Sequence, residues 1–304
     1  MENNKIKLIK EFVYNEDCVI FLLKLKNGKL CTCSQDREIK IFNPENFICE
    51  KTIYGHLNSI NAICELDNEI LVSCSDDNKI NIWDLKNKEN NLIYSILAHN
   101  SYINKVITLK NGNFASCSDD KLIKIWNHKF PFENLYIINE HYNIVTSIIE
   151  LEDERLVSTS DHKENILRFY SFDNKKNKYI IDGIINNIHC HCINSLIIYK
   201  RNKIAIGSYK LIYIIDCDLY QIESIIQGHN TLITSLVVMP DGNLISVEEE
   251  LVMKKYNYLF QTTCKIKYVH EQIIFSMISL SNNILITASK DGVIKFGIIL
   301  NRYF

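Results

Sequence analysis

Residues 70–84 have the sequence ILVSCSDDNKINIWD, and residues 114–126 repeat it closely as FASCSDDKLIKIW. Weaker copies run over residues 30–42 and 285–296. More degenerate copies begin near Leu156, Ile204 and Leu244, and they bring the number of copies to seven. A phrase that returns about every 40 residues indicates a repeat architecture, in which each copy forms one structural unit.

A histidine precedes most copies of the phrase. The clearest of these residues are His56, His99, His141, His229 and His270, and adjacent members lie 41 to 43 residues apart wherever no copy is skipped. The interval from 141 to 229 leaves room for one more unit, which His189 or His191 would begin. The first copy has Asn15-Glu16-Asp17 at the corresponding place. We therefore expect units to begin near residues 15, 56, 99, 141, 189, 229 and 270.

Each unit has the pattern of four short strands. Runs rich in Ile, Val, Leu and Tyr alternate with turns that carry Asp, Asn and Gly. A single four-stranded sheet cannot bury both of its faces, whereas radial stacking on neighbouring sheets buries them and leaves only short edges. The sequence therefore predicts one all-β domain over residues 1–304, a seven-bladed β-propeller with four-stranded antiparallel blades.

Two dipeptides connect this pattern to a known family. Gly55-His56 and Gly228-His229 match the Gly-His pair of the WD40 repeat, and Trp83-Asp84 matches its Trp-Asp pair. The chain resembles this family over nearly its whole length. Similar propellers close their ring by pairing an N-terminal strand into the last blade, which removes an open sheet edge. The resemblance therefore implies that residues 5–12 complete the blade that begins near His270.

A histidine, a serine and an aspartate recur together and could suggest a hydrolase triad. Two nearly identical sets are present, each with a tryptophan: His56, Ser73, Asp77 and Trp83, and then His99, Ser116, Asp120 and Trp126. An enzyme does not need several copies of one triad. The resemblance instead implies a hydrogen-bond network inside each blade, and we predict no catalytic residue.

Composition and charge limit the partners that we expect. The 304 residues include 34 Lys and Arg and 36 Asp and Glu, for a net charge of −2. Because the lysines are scattered among acids, we expect no direct binding to nucleic acid. No run of about 18 apolar residues or signal-peptide core is present, so we expect no membrane insertion and a cytoplasmic or nuclear protein.

Cysteines are numerous, and their places in the repeat suggest a packing role. The sequence has 11 of them, an odd number, and Cys31, Cys33, Cys74 and Cys117 fall within predicted strands. Free cysteine behaves as a small hydrophobic residue. We therefore expect free thiols in the core of a protein from a reducing compartment.

Two clusters could bind ions, and each has a simpler interpretation. His189-Cys190-His191-Cys192 offers zinc-type ligands, but adjacent side chains on a strand point to opposite faces. Whether it binds metal stays open; the alternative is a variant start of the fifth unit. Glu248-Glu249-Glu250 is predicted to be a solvated acidic turn, with a contact to metal or a basic peptide as the alternative. No metal or cofactor is predicted.

The resemblance also implies a protein-binding surface on the narrower face of the ring. Its candidate positions lie three and five residues after each histidine and directly before each turn aspartate. They are Ser59, Asn61, Asp76, Tyr102, Asn104, Asp119, Ile144, Thr146, Leu232, Thr234, Ile273, Phe275 and Lys290. Apolar anchors among polar groups are typical of binding hot spots, and the acids favour a peptide or loop that carries Lys or Arg. The alternative is that some of the aliphatic residues belong to the core.

The leading hypothesis for function is a non-enzymatic scaffold that holds other proteins in a complex, as a monomeric propeller within a hetero-complex. This step depends on the family resemblance, because one fold supports many functions. A substrate-recognition subunit of a ubiquitin ligase is the first alternative, although such receptors usually carry a second module. A propeller enzyme is the other alternative, and it would need an unrepeated set of acids and histidines in the channel.

Overall fold

The structure is a computed structural model that describes residues 6–13, 17–87, 91–161, 164–186, 188, 195–257, 259–267, 270–280 and 284–299. Its strands follow the turn and strand pattern of the repeat. In chain order they are β1 Ile6–Val13; β2 Val19–Lys24, β3 Leu30–Ser34, β4 Glu38–Phe42 and β5 Cys49–Tyr54; β6 Ile60–Glu65, β7 Ile70–Ser75, β8 Lys79–Asp84 and β9 Leu92–Leu97; β10 Ile103–Thr108, β11 Phe114–Ser118, β12 Ile123–Trp126 and β13 Asn134–Ile138; β14 Val145–Glu150, β15 Leu156–Ser160, β16 Leu167–Asp173 and β17 Lys178–Ile185; β18 Ser195–Lys200, β19 Lys203–Gly207, β20 Ile212–Asp216 and β21 Gln221–Ile226; β22 Ile233–Val238, β23 Leu244–Glu248, β24 Val252–Tyr256 and β25 Thr262–Lys267; β26 Ile274–Ser279, β27 Ile284–Ser289 and β28 Val293–Ile299.

These strands form seven four-stranded antiparallel sheets among the described residues, and each sheet is one blade. Six blades take four consecutive strands each, from β2–β5 in blade 1 to β22–β25 in blade 6. Blade 7 has the order β1-β28-β27-β26. The first strands of neighbouring blades contact one another and form the inner ring of a propeller. The predicted all-β, seven-bladed fold is confirmed.

The N-terminal strand closes the ring. Strand β1 pairs antiparallel with β28, from Ile6 opposite Ile299 to Val13 opposite Val293. The ring of Phe12 lies 5.2 Å from that of Phe47 in blade 1 and 5.7 Å from that of Phe296, measured between centroids. The predicted closure of the last blade by the N-terminal strand is therefore confirmed. Strand β1 forms the outer edge of blade 7.

The core lies between the blades, because each sheet buries both faces against its neighbours. Cys33 and Ile39 of blade 1 pack with Leu71 and Trp83 of blade 2, and the same arrangement recurs around the ring. The cysteines predicted as core residues, Cys31, Cys33, Cys74 and Cys117, are buried and free. Small thiols suit these central strands because closely stacked sheets leave little space between them.

Candidate protein-binding face

A hydrogen-bonded chain crosses blade 2 and brings its four predicted network residues together. His56 contacts Asp77 through Nδ1 at 2.9 Å and Ser73 through Nε2 at 2.7 Å. The indole Nε1 of Trp83 donates to Ser73 Oγ at 2.8 Å. In blade 3, the corresponding distances among His99, Asp120, Ser116 and Trp126 are 2.8, 2.7 and 2.9 Å. Each chain joins the loop before the inner strand to the second and third strands.

The hydrogen-bond partners of the two histidine nitrogens determine which of them carries the proton. A carboxylate only accepts, so Nδ1 of His99 carries the proton, and Nε2 accepts from the hydroxyl of Ser116. Burial lowers the pKa of His99 more than Asp120 raises it, which favours the neutral imidazole. Burial alone would raise the pKa of Asp120, but bonds from His99 and two backbone N–H groups lower it to about 2. The Ser116 hydroxyl is fully buried and also accepts from Trp126, so the arrangement holds the blade together.

Blades 4, 6 and 7 build the same chain from different residues, and blades 7 and 4 keep its geometry most clearly. In blade 7, Thr287 replaces the serine, and its Oγ1 lies 2.8 Å from His270 Nε2. In blade 4, the acid is Glu164, whose Oε2 lies 3.0 Å from His141 Nδ1, and Arg168 contacts both of these residues. Arginine at this place shows that the network tolerates a second buried charge when a carboxylate is close by.

Blade 6 corrects the prediction that Glu248-Glu249-Glu250 is a solvated turn. Glu248 is 0% exposed. Its Oε2 accepts from the backbone N of Asn230 at 2.6 Å and lies 3.3 Å from His229 Nδ1. The longer Glu side chain therefore replaces the missing aspartate from a position two residues earlier. Glu249 and Glu250 are exposed, as the prediction requires of an acidic turn.

In six of the seven blades, an irregularity near the start of the inner strand places one residue at the central channel. Among the described residues, the inner strands of six blades each have a bulge near their start, for example between Ile103 and Lys105, whereas that of blade 5 has its register shift near its end. A bulge re-aims the extra residue. The residues at the six bulges lie five places after the blade's start and all line the channel: Ile20, Asn61, Asn104, Thr146, Thr234 and Phe275. The sequence pattern locates these positions but does not show the bulge.

Three of these residues bond to the next blade. Asn61 Nδ2 donates to the backbone O of Ile103 at 3.0 Å, and Asn104 Nδ2 donates to that of Val145 at 2.9 Å. Thr234 Oγ1 donates to the backbone O of Ile274 at 2.6 Å. Their donors therefore connect neighbouring blades. The predicted partner contacts of these residues remain a prediction beside this structural role.

Several exposed apolar side chains lie on one face of the ring, which we call the top face. It is formed by the histidine-bearing loops and by the turns between the second and third strands of each blade. Leu57, Tyr102 and Tyr142 are 72%, 50% and 82% exposed there. Asp119 N donates to the backbone O of Tyr102 at 2.9 Å, and the carboxylates of Asp76 and Asp119 in the same turns accept from Asn61 and Asn104 at 2.6 and 2.7 Å. The face thus combines apolar anchors with carboxylates.

The other predicted face residues differ in accessibility. Lys290 is exposed and Thr234 is buried. The remaining ones are partly buried: Ser59, Asn61, Asp76, Asn104, Asp119, Ile144, Thr146, Leu232, Ile273 and Phe275. Ile144, Ile273 and Phe275 line a channel cavity of about 700 Å³. These apolar residues are therefore reachable from the channel without standing out from the surface.

Two exposed residues were missed by the sequence analysis. Leu57 and Tyr142 each directly follow the histidine of their blade. Leu57 N donates to Asp77, and Tyr142 N donates to Glu164, so the network acid holds the backbone and turns the side chain outward. The position after each histidine was the available signal, because its backbone binds the acid while its side chain points to solvent.

Two other sequence predictions concern ions and membranes. The group His189-Cys190-His191-Cys192 lies outside the described residues. Within the described ranges, no group of three or more His, Cys, Asp or Glu side chains is arranged to hold a metal ion. In that same part of the chain, no helix is long and apolar enough to cross a membrane.

Comparisons with known proteins agree with this geometry. The family described as WD domain, G-beta repeat matches residues 47–84 and 90–127. A Mus musculus protein, the B subunit of chromatin assembly factor 1, is 34% identical over 83 residues, which are 26% of this chain and 14% of that protein. The crystal structure of the WD40 β-propeller domain of Doa1 superimposes with a TM-score of 0.79, at 16% identity and 96% coverage of both chains. Two stretches of the chain thus match the WD-repeat family, and the chain as a whole has the seven-bladed β-propeller fold of the Doa1 WD40 domain.

Proposed function

We propose that this protein is a non-enzymatic scaffold that binds other proteins on its top face within a multiprotein complex. The observation that carries the proposal is the exposure of Leu57, Tyr102 and Tyr142 on the face whose turns also carry the carboxylates of Asp76 and Asp119. Large apolar side chains at a surface favour association when a partner buries them, and aromatic anchors dominate such interfaces.

The chemistry of the top face favours a peptide or loop that carries Lys or Arg. Burial raises the pKa of Asp76, while the bond from Asn61 partly opposes this effect. A partly buried carboxylate gains more from an incoming cation than a fully solvated one does. The same acids disfavour nucleic acid, in agreement with the net charge of −2.

Membership of a complex has support from a relative. The mouse protein with a matching segment is named as part of a chromatin assembly factor. A corresponding role here would be that of a monomeric propeller in a hetero-complex, and it would favour the nucleus over the cytoplasm. Because the match spans 14% of that protein, the partners of this chain must be identified directly.

The test is affinity purification of the tagged protein from its own cells after gentle cross-linking, with quantitative mass spectrometry. The proposal predicts a fixed set of partners in near-unit ratio to the propeller. Ligase components together with many sub-stoichiometric clients would instead favour a substrate-recognition subunit of a ubiquitin ligase. Recovery of the propeller alone would contradict the scaffold proposal.

A further inference from the structure

One layer of side chains surrounds the central channel at a single depth. On each inner strand it is the residue that lies six places after the start of the blade, directly after the bulge where one is described. The members are Phe21, Ala62, Lys105, Ser147, Ser195, Ser235 and Ser276, and all seven line the cavity of about 700 Å³. Blades 1 and 2 contribute apolar groups and blades 3 to 7 contribute polar groups, so the layer has two unlike sides.

Lys105 is the charged member of this layer. Its Nζ donates to Ser147 Oγ at 2.9 Å, and within the described residues no carboxylate forms an ion pair with it. Burial lowers the pKa of this lysine, and the thiol of Cys117 opposes the shift only in part. An ammonium group has three donors, so two remain for another acceptor. A charge with restricted access to water is stabilised by pairing with an opposite charge.

The hydroxyl groups of the neighbouring serines are further hydrogen-bond donors that face the cavity. The side chains of Ser195 and Ser235 form no hydrogen bond with another described residue, and both face the cavity. Ser276 Oγ accepts from the backbone N of Leu22 at 3.2 Å and retains its own proton. Ser147 likewise keeps a proton while it accepts from Lys105. The polar side of the layer is therefore a concave set of donors.

We propose that this side of the channel binds one small oxyanion, held by the ammonium of Lys105 and the hydroxyls of Ser147 and its neighbours. Tetrahedral or planar oxyanions offer several acceptor atoms at once, which suits donors that converge from adjacent blades. The ligand class is a phosphate or a carboxylate. The source is either a free anion or an acidic group that a bound partner inserts into the channel.

The mouth of the channel restricts which anions enter. Asp119, Asp161 and Glu249 line the same cavity and follow the strand ends on the top-face side of the layer. Their charges repel polyanions such as nucleic acid, whereas a small anion is partly screened in physiological salt. The site is therefore selective for an anion of few charges.

The test is isothermal titration of the full chain with sodium phosphate and, separately, with sodium acetate, at an ionic strength held constant with sodium chloride. We expect saturable binding of at least one probe, and binding weaker by about tenfold or more in Lys105→Met. The matched control is Lys124→Met, because Lys124 lies in the same blade and donates to the backbone O of Ala98 outside the channel. It should bind as the unmodified chain does.

Preference for phosphate identifies a free phosphate-type ligand, and saturable binding of acetate alone identifies a carboxylate. If Lys105→Met does not fold, the double variant Ser195→Ala with Ser235→Ala replaces it and should also weaken binding. No saturable binding of either probe to the unmodified chain overturns the proposal. Equal affinity in the lysine or serine variants overturns it as well.

Discussion

In blades 2 and 3, a serine hydroxyl lies at the centre of the hydrogen-bonded chain and contacts two other side chains. Its loss should therefore lower the stability of the protein despite the small size of serine. Ser116 Oγ accepts from Trp126 Nε1 and donates to His99 Nε2. Replacing it by alanine leaves both buried partners unpaired. An unpaired buried polar group costs about 1–3 kcal/mol, so we expect Ser116→Ala to lower the free energy of unfolding by about that amount.

Urea unfolding followed by circular dichroism measures this change. The matched control is Ser101→Ala in the same blade, whose side chain forms no hydrogen bond with a described residue. It should alter stability by no more than about 0.5 kcal/mol. An equal effect of the two substitutions would show that the Ser116 hydroxyl does not support the blade.

The network histidines also make stability depend on pH. Burial lowers the pKa of His141 and His229 from 6.5 to about 4 in the folded protein. Between these values the unfolded chain binds protons that the folded chain does not, so stability falls as the pH decreases from 6.5 toward 4. We expect each of the two to contribute a loss of about 2 kcal/mol between pH 7 and pH 5. Urea unfolding at both pH values tests this, and equal stability would contradict it.

Single residues of the network were predictable where the repeat keeps its spacing. In blades 2 and 3 the serine lies 17 and the aspartate 21 residues after the histidine. This equal spacing predicts that the two blades form the same hydrogen-bonded chain. Glu164 and Glu248 lie at other spacings, and a longer side chain reaches the same nitrogen from there. Such substitutions depend on side-chain reach in three dimensions, which sequence spacing does not contain.

At the scale of strands, the bulge residues hold neighbouring blades together. Asn104 donates to the backbone O of Val145 in the next blade and to Asp119 in its own turn. Asn104→Ala removes both bonds, and we expect a loss of about 1–2 kcal/mol in the free energy of unfolding, measured in urea. An unchanged stability with weakened partner binding would mean that Asn104 serves recognition alone.

The closing strand is a second element with a measurable contribution. Removal of residues 1–12 deletes most of β1 and exposes the edge of β28 and the aromatic contacts of Phe12. We expect the temperature of unfolding to fall by about 10 °C or more. Removal of residues 1–5 leaves β1 intact and is the control, with little expected change. Equal unfolding temperatures for the two deletions would contradict a stabilising role of β1.

The strands themselves were predictable because hydrophobic runs and turn residues recur at one period. The run of the repeat that ends in the Trp-Asp pair, for example, forms the strand Lys79–Asp84. The bulges were not predictable, since the inner strands carry no glycine or proline that would mark them. They lie where the inner strands surround the channel, an arrangement that exists only in the closed ring.

At the scale of the whole molecule, the exposed apolar groups of the top face are not spread evenly. Leu57, Tyr102, Tyr142 and Tyr209 belong to the consecutive blades 2 to 5, and Asp76 and Asp119 lie in the turns of blades 2 and 3. The sequence indicated this side of the ring because its acids and Tyr102 could be aligned to the repeat. Leu57 and Tyr142 required knowledge of which side chains the network turns toward solvent.

Binding of partners to this part of the top face can be tested with paired variants. The measurement is quantitative mass spectrometry of proteins that co-purify with Tyr102→Ala/Tyr142→Ala and with the control Leu219→Ala/Leu259→Ala. The control residues are 64% and 57% exposed in turns between third and fourth strands, on the opposite face. We expect the tyrosine variant to lose the stoichiometric partners while the leucine variant keeps them. Full retention by the tyrosine variant, or an equal loss from both, would show that partners do not bind here.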